Sequence, residues 1–275
     1  MRPRQYLLRD LGILLSVTLG LVLVSAGVIK LTSSKPASGP ILSPVVIAAE
    51  KKLKHLIRDT ILAQEPTVHA SEIERALDSI LLRLTESIDH LPFDIEIQVI
   101  DTPVVNALTF PGGLIVIHAG LMKKLQKPEE MAAILAHELG HIANRDVMKK
   151  ISGQIVLGAL LSLGGRQMER VAQRIVQQIV NIHFSRAIEM QADEFALDLL
   201  IRAEIDPIHF ADALEHIKTD LPDEIQDLLE YINTHPELES RIKKAREVSS
   251  SHAGRPTKSF DIDWNKVKKS LPSIF

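Results

Sequence analysis

Most of the chain carries apolar residues at the spacing of an α-helix. Residues 45–62 form one predicted helix. A second begins at Ser71, which has the spacing of a capping box with Glu74 and is followed by apolar residues every three or four positions. From Pro128 onward the pattern is mostly helical. The chain is therefore predicted to be an α+β protein that is mostly α.

Strand-like patterns occur between these helices. Residues 93–100 alternate apolar side chains with acidic or polar ones, as in a half-buried strand. A turn at Pro111-Gly112-Gly113 precedes a short, strongly apolar strand at residues 114–117. The turn and its flanking apolar runs predict a small antiparallel sheet, with residues 114–117 as an edge strand.

The N-terminal segment has the pattern of a membrane helix. Residues 11–29 contain no charge and span about 28 Å as a helix, close to the hydrocarbon thickness of a bilayer. Three arginines precede them, so the positive-inside rule predicts export of the rest of the chain. The length favours an uncleaved signal anchor. A signal peptide cut near Val24-Ser25-Ala26 and a buried soluble helix are the alternatives.

These patterns divide the chain into four parts. Residues 1–31 are the signal anchor or signal peptide, and the Ser-, Pro- and Gly-rich residues 32–44 are a linker. Residues 45–248 are the folded domain, and residues 249–275 are a C-terminal tail. Residues 249–256 are expected to be loosely ordered, whereas Trp264 and Phe275 suggest that the end of the tail docks. The expected location is the cell inner membrane, single-pass with the domain on the periplasmic side, or the periplasm after signal cleavage.

Composition narrows the chemistry. Lys+Arg number 32 and Asp+Glu 35, a net charge of -3, which argues against a nucleic-acid partner. The sequence contains no Cys, so disulfides, thiolate metal sites and cysteine nucleophiles are excluded. Any metal must be held by histidine and carboxylate side chains.

The motif His137-Glu138-Leu139-Gly140-His141 carries that chemistry. On a helix, the two histidines lie four residues apart and project from one face, so both can reach one Zn²⁺ at about 2.0–2.1 Å. Glu138 then points toward the open coordination position, where a general base is needed. Gly140 weakens the helix by about 1 kcal/mol relative to Ala, which is understandable where something must approach the backbone.

A third ligand is expected downstream. Glu189 and Asp193 are four residues apart and share a helix face. Glu189 can bind the metal, and Asp193 can accept the free N–H of a ligating histidine. Arg186 is expected to neutralise one of these acids. An ordinary helix with exposed charges is the alternative for this stretch.

The ordered motifs resemble a known family, the membrane-associated zinc metallopeptidases that include HtpX and the CAAX prenyl-protein proteases (metallopeptidase family 48). The matching pieces lie between residues 45 and 248, and in order they are Asn106-Ala107, Phe110-Pro111-Gly112-Gly113, the HELGH motif, residues 185–193, Thr234-His235-Pro236 and Arg241-Ile242. The chain lacks the further membrane helices of HtpX. It is most similar to the small exported or singly anchored quality-control members.

The resemblance implies a zincin-like (gluzincin) core that holds one Zn²⁺ per chain. His137, His141 and Glu189 would be the ligands, Glu138 the general base, and Asp193 would orient a ligand. His235 would lie near the metal with Arg241 beside it. There it would stabilise the oxyanion as a catalytic residue or block the site in a resting state.

The substrate is expected to be an extended polypeptide that adds to the edge of the sheet through main-chain hydrogen bonds. Gly113, Leu114 and Ile115 are the expected contacts. Asn106 either holds the substrate backbone or is a turn residue. The apolar run at residues 155–163 is too short to span a bilayer, and it is a buried helix, a lid or a shallow membrane contact.

The leading hypothesis is a zinc endopeptidase that cleaves unfolded or mislocalised cell-envelope proteins. A catalytically silent, zinc-containing binding or chaperone-like membrane protein is the alternative. A membrane-tethered helical scaffold with accidental motifs is the third possibility. His118, His183 and His216 are expected to be packing residues, and no oligomeric state is predicted.

Overall fold

The computed structural model describes residues 44–151, 166–218, 231 and 234–273. The helices in these ranges are α1 (Pro44–Leu62), α2 (Ser71–Glu86), α3 (Ala119–Lys124), α4 (Pro128–Asn144), α5 (Asp146–Lys150), α6 (Arg166–Val180), α7 (Arg186–Arg202), α8 (Ile208–Lys218), α9 (Leu238–Ser251) and α10 (Trp264–Lys269). The strands are β1 (Glu96–Ile100), β2 (Ala107–Phe110) and β3 (Leu114–His118). The predicted mostly helical fold with one small sheet is confirmed.

The sheet is mixed, with the strand order β1-β3-β2. β2 and β3 form the predicted antiparallel hairpin, but β1 runs parallel to β3, with Glu96 opposite Leu114. The prediction of a purely antiparallel sheet with residues 114–117 at its edge is therefore wrong. β3 is the central strand of the described sheet. Its run of four consecutive aliphatic residues suits a strand that is buried on both faces.

Successive β3 side chains enter two different cores. Ile115 and Ile117 pack into the larger cluster, with residues of α2, α4, α7, α8 and α9. Leu114 and Val116 face the smaller cluster, with residues of α1 and α6. This alternation is the ordinary consequence of the two-residue period of a strand. The sheet is thus covered by helices on both faces.

The turn between β2 and β3 needs glycine twice. Gly112 and Gly113 have φ values of 78° and 85°, which L side chains rarely adopt. A Cβ atom at Gly112 would lie 2.6 Å from the backbone oxygen of Glu50, and one at Gly113 would lie 2.9 Å from that of Asp94. The turn is therefore packed directly against α1 and against the segment that enters β1. This packing accounts for Gly113 without a substrate.

Helix α4, which carries the HELGH motif, begins as predicted. Pro128 occupies its first turn, where the missing N–H costs nothing. Glu129 and Glu130 lie beside it and are buried. Glu130 accepts hydrogen bonds from the backbone N–H of Gln126 and from Nδ1 of His216. The helix ends at Asn144, and the next residue, Arg145, has a left-handed backbone (φ 57°). The Arg145 side chain forms an ion pair with the buried Glu50.

Gly140 lies where α4 crosses α7. A Cβ atom at this position would be 2.9 Å from the oxygen and 3.1 Å from the Cα of Ala192. The neighbour is backbone and cannot move aside without shifting α7. The expectation that something approaches the backbone at Gly140 is confirmed, and the close crossing brings the motif of α4 beside Glu189.

We expect Gly140→Ala to destabilise the protein although alanine is the better helix former. The intrinsic gain is about 1 kcal/mol, whereas overpacking against a fixed backbone costs about 1–3 kcal/mol. The variant should therefore unfold a few degrees below the wild type in calorimetry and retain less metal after dialysis. A melting temperature above that of the wild type would contradict the close crossing.

The end of the C-terminal segment is docked on the domain. Trp264 is 4% exposed, and its Nε1 donates to the Leu125 oxygen just before α4. Arg83 of α2 donates to the Lys258 oxygen and lies 4.2 Å from the centre of the Phe260 ring. The docking suggested by Trp264 is confirmed, whereas Phe275 lies outside the described residues.

Two predictions concern segments that the structure does not describe. They are the N-terminal signal anchor or signal peptide of residues 1–31, with most of the linker, and the apolar run at residues 155–163. In the part of the chain that is described, no helix is both long enough and apolar enough to cross a membrane.

Candidate metal centre

Four buried side chains from three regions of the chain converge at the end of the sheet. They are His137 and His141 of α4, Glu189 of α7 and His235, and one potential ligand atom from each lies within 4.8 Å of all the others. None of them is more than 2% exposed. The three ligands predicted from the sequence are therefore close together, although 48 positions separate His141 from Glu189.

The separations among the predicted ligands suit a small metal ion. Nε2 of His141 is 3.1 Å from Nε2 of His137 and 3.6 Å from Oε1 of Glu189. Nε2 of His137 is 3.5 Å from Oε2 of Glu189. Tetrahedral bonds of about 2.0–2.1 Å place neighbouring ligand atoms about 3.3 Å apart, so these three donors fit such an ion.

His235 lies within the same group. Its Nδ1 is 3.0 Å from Oε1 of Glu189 and 3.2 Å from Nε2 of His137. Its Nε2 points toward Glu138, 3.8 Å from Oε1. The ring thus occupies the side of the cluster between Glu189 and Glu138, where a fourth donor would be.

Asp193 and Arg241 support the cluster from behind. Oδ1 of Asp193 is 2.9 Å from Nδ1 of His137, the contact that the i,i+4 spacing from Glu189 predicts for a carboxylate that orients a ligand. Arg241 donates from Nε and Nη2 to both oxygens of Asp193, each at 2.8 Å. Its Nη1 lies 3.2 Å from Oε2 of Glu189. This bidentate geometry is typical of a buried arginine–carboxylate pair.

The electrostatics favour the metal-binding forms of His137 and Glu189. Burial, reinforced by the charge of Arg241, lowers the pKa of His137 well below its ordinary value. Burial alone would raise the pKa of Glu189, but His235, which is hydrogen-bonded to it, and the charge of Arg241 outweigh burial and lower that pKa to about 2. A neutral imidazole and an ionised carboxylate are the forms that bind metals.

Glu138 has two different carboxylate oxygens. Oε2 accepts a hydrogen bond of 2.7 Å from the Thr109 hydroxyl, whereas Oε1 is buried and has no hydrogen-bond partner among the described residues. Burial raises the pKa of this carboxyl to about 7, although His141 and the Thr109 hydroxyl oppose the shift. A carboxylate with a pKa near neutrality is suited to take up and release a proton.

The expected role of Arg186 is wrong. Its side chain is 67% exposed and pairs with Glu237 instead of Glu189 or Asp193. Arg186 is the first residue of α7, and helical side chains lean toward the N-terminus, so this one leaves the end of the helix and enters solvent. Arg241 makes the contacts with Asp193 and Glu189 that were expected of Arg186.

The predicted substrate contacts have mixed outcomes. Leu114 and Ile115 are fully buried in the central strand, so their main chain is not available to an added strand. Asn106 is also fully buried, and its Oδ1 accepts from the backbone N–H of Ala107, while its Nδ2 has no partner within the described ranges. The strand edge beside the cluster is β2, and a small cavity of about 10 Å³ there is lined by Thr109, Glu138 and His235, among others.

Four further contacts were not predicted from the sequence, and one of them is the hydrogen bond of Thr109 to Glu138. Oδ2 of Asp146 lies 3.0 Å from Nδ1 of His141. This contact could be predicted only if the residue at which α4 ends were known. Phe184 stacks on the His141 ring with centroids 4.3 Å apart, and Tyr231 lies 4.6 Å from the ring of His235. Thr109 is the only hydroxyl in an otherwise apolar strand. A polar side chain in this apolar strand was the one feature of the sequence that could have indicated a role for Thr109.

Two of the histidines that were not expected to be ligands lie outside the cluster, and His118 is at the end of its strand, as predicted. His118 closes β3 with Nδ1 2.6 Å from the Thr102 hydroxyl, and burial lowers its pKa to about 4. His216 pairs with the buried Glu130. Neither belongs to the group of potential metal ligands.

Comparison with known proteins places the chain in a family. Residues 71–249 match peptidase family M48, and the chain belongs to it. It is 31% identical over 149 residues to the mitochondrial metalloendopeptidase OMA1 of Arabidopsis thaliana, covering 54% of this chain and 30% of that protein. It is 29% identical over 156 residues to the metalloprotease LoiP of Escherichia coli strain K12, covering 54% and 60%.

A third relative is the beta-barrel assembly-enhancing protease of Yersinia pestis. It is 23% identical over 212 residues, which covers 72% of this chain and 43% of that protein. The chain thus spans less than two thirds of the length of each of these three relatives. Family members are metal-dependent peptidases, and the cluster of three histidines and one glutamate is consistent with that chemistry.

Proposed function

We propose that the chain is a zinc endopeptidase that hydrolyses unfolded or mislocalised proteins of the cell envelope. The observation that carries the proposal is the convergence of His137, His141 and Glu189 beside a buried Glu138, one oxygen of which has no hydrogen-bond partner among the described residues. Two nitrogens and one oxygen are the donor set of catalytic zinc sites with a histidine pair and a glutamate. When bound, zinc polarises a peptide carbonyl and lowers the pKa of a coordinated water.

The protein side chains supply the remaining steps. Asp193 accepts from Nδ1 of His137 and so keeps Nε2 of that ring free to bind the metal. Asp146 does the same for His141. Glu138 takes a proton from the attacking water on Oε1 and delivers it to the leaving amine. Its pKa near 7 supports both halves of that transfer.

His235 is proposed to act as a fourth donor that closes the site in the resting state. Its Nδ1 already lies within 3.2 Å of both His137 and Glu189. From that position a modest rotation would release it to stabilise the oxyanion, the other role expected of it. Phe184, stacked on His141, closes the cluster from another side.

The substrate is proposed to be an extended polypeptide bound along β2. This strand is the sheet edge nearest the cluster, Asn106 immediately precedes it, and Thr109 lines the small cavity. Its four residues are buried, so a substrate would reach the edge only when the site opens. Main-chain pairing accepts almost any sequence, which suits a quality-control protease. Membrane attachment through residues 11–29, with the domain on the periplasmic side, is part of the same proposal.

We expect the full-length protein, purified in detergent, to bind one zinc ion and to digest casein. Chelation should abolish cleavage, and zinc should restore it. We expect His235→Ala to cleave casein several-fold faster than the wild type because it opens the fourth position. His216→Ala serves as a control, because that histidine lies outside the cluster.

The results separate the proposal from its alternative. Zinc binding without cleavage by either the wild type or His235→Ala would support a catalytically silent, chaperone-like protein. Cleavage that survives complete removal of metal would contradict the zinc mechanism. Slower cleavage by His235→Ala with unchanged zinc content would assign His235 to the oxyanion instead of the resting state.

A further inference from the structure

We propose that Thr109 is a positioning residue that orients the general base. Its hydroxyl holds one oxygen of Glu138 so that the other faces the metal-binding cluster. The inference rests on the proposed peptidase function, in which Glu138 is the base. It concerns a residue of the sheet and not a metal ligand.

The position of Thr109 in the strand makes the contact possible. β2 alternates its side chains, and Leu108 and Phe110 enter the smaller core on the face away from α4. Ala107 enters the larger core on the opposite face, and Thr109 shares that face. A short branched side chain on this face therefore reaches the helix that carries Glu138.

A buried hydroxyl at this position needs a partner. Thr109 is 7% exposed, and an unpaired hydroxyl there would lose its hydration without compensation. The hydroxyl lies 2.7 Å from Oε2 of Glu138 and 3.2 Å from the Glu138 backbone oxygen. It has one proton to donate, and the charged acceptor at the shorter distance forms the stronger bond.

The contact makes the two oxygens of the base unequal. The terminal torsion of a glutamate is broad and nearly two-fold, so an unheld carboxylate turns readily. Thr109 fixes Oε2 and leaves Oε1 buried, 3.8 Å from Nε2 of His235 and without a hydrogen bond to any residue that the structure describes. The oxygen that must meet the attacking water is thereby the one directed at the cluster.

The test compares Thr109→Val, which keeps the shape and removes the hydroxyl, with Thr109→Ser, which keeps the hydroxyl. We expect Thr109→Val to lower kcat for a peptide substrate about 10- to 100-fold, the size of effect that misplacing a reacting group produces. KM, zinc content and melting temperature should stay close to wild-type values. Thr109→Ser should recover kcat to within about three-fold of the wild type.

A matched control is available in Thr102, whose hydroxyl bonds to His118 away from the cluster. Thr102→Val removes a similar threonine–side chain hydrogen bond and should leave kcat unchanged. In the Glu138→Gln background, Thr109→Val should produce no further loss, because the base that it positions is already gone.

Two kinds of failure are distinguishable. An active wild type with an unaltered kcat in Thr109→Val, or an equal loss in Thr109→Ser, would overturn the role of Thr109 alone. A change in Thr109→Val that affects only KM, or a fall in kcat that accompanies loss of zinc, would also overturn the positioning role, because Thr109 would then be a structural residue. A wild type that binds zinc but cleaves no peptide would overturn the proposed function and this inference with it.

Discussion

Glu138→Gln is expected to abolish cleavage while leaving the zinc in place. General acid–base catalysis contributes about 10²- to 10⁴-fold, so the rate should fall by at least that range. The amide has nearly the shape of the carboxylate and can still accept from the Thr109 hydroxyl, which lies 2.7 Å from Oε2. It cannot take a proton. Casein cleavage and zinc content, measured on the same preparation, test the expectation.

The zinc content of the Glu138→Gln variant decides how a loss of cleavage is interpreted. Glu138 is not one of the four clustered ligand residues, so the variant should retain one zinc per chain. Equal cleavage by the variant and the wild type would eliminate Glu138 as the base. Loss of zinc together with cleavage would mean that the residue supports the site structurally.

Glu189→Ala is expected to have the second large effect, the loss of zinc itself. The substitution removes one of three predicted protein ligands and leaves the histidines of α4 with His235. Metal affinity should fall by more than the 10- to 100-fold that is typical for loss of an orienting group. Zinc should then dialyse away under conditions in which the wild type keeps it, and cleavage should cease.

A neighbouring glutamate provides the control. Glu194 lies on the same helix but is exposed, so Glu194→Ala changes the charge equally without touching the cluster. That variant should keep both zinc and activity. Zinc retention by Glu189→Ala at the wild-type level would contradict the assignment of Glu189 as a ligand.

Local spacing accounts for what could be predicted of the site. The four-residue interval between His137 and His141, and between Glu189 and Asp193, places each pair on one helix face, and both pairs meet at the cluster. Gly140 indicated a close backbone neighbour, which is Ala192. The grouping of His235 and Arg241 with them came from the family resemblance, because no periodicity links residues so distant in sequence.

The errors arose where structure depends on distant pairing. Residues 93–100 and 114–117 are both plausible strands, but nothing local specifies that β3 lies between β1 and β2. Arg186 has the right charge and spacing, yet its place at the helix end directs it into solvent. Thr109 and Asp146 contact the site only because β2 and the turn after α4 fold back onto it.

The burial of the cluster has a kinetic consequence. His137, His141, Glu189 and His235 are at most 2% exposed, so a peptide can meet them only in molecules whose site has opened. Apparent affinity then falls in proportion to the open fraction, and an open population of about 1% weakens it about 100-fold. Under the proposed function, a ligand that raises the open fraction would therefore increase the rate of cleavage without contacting the four side chains.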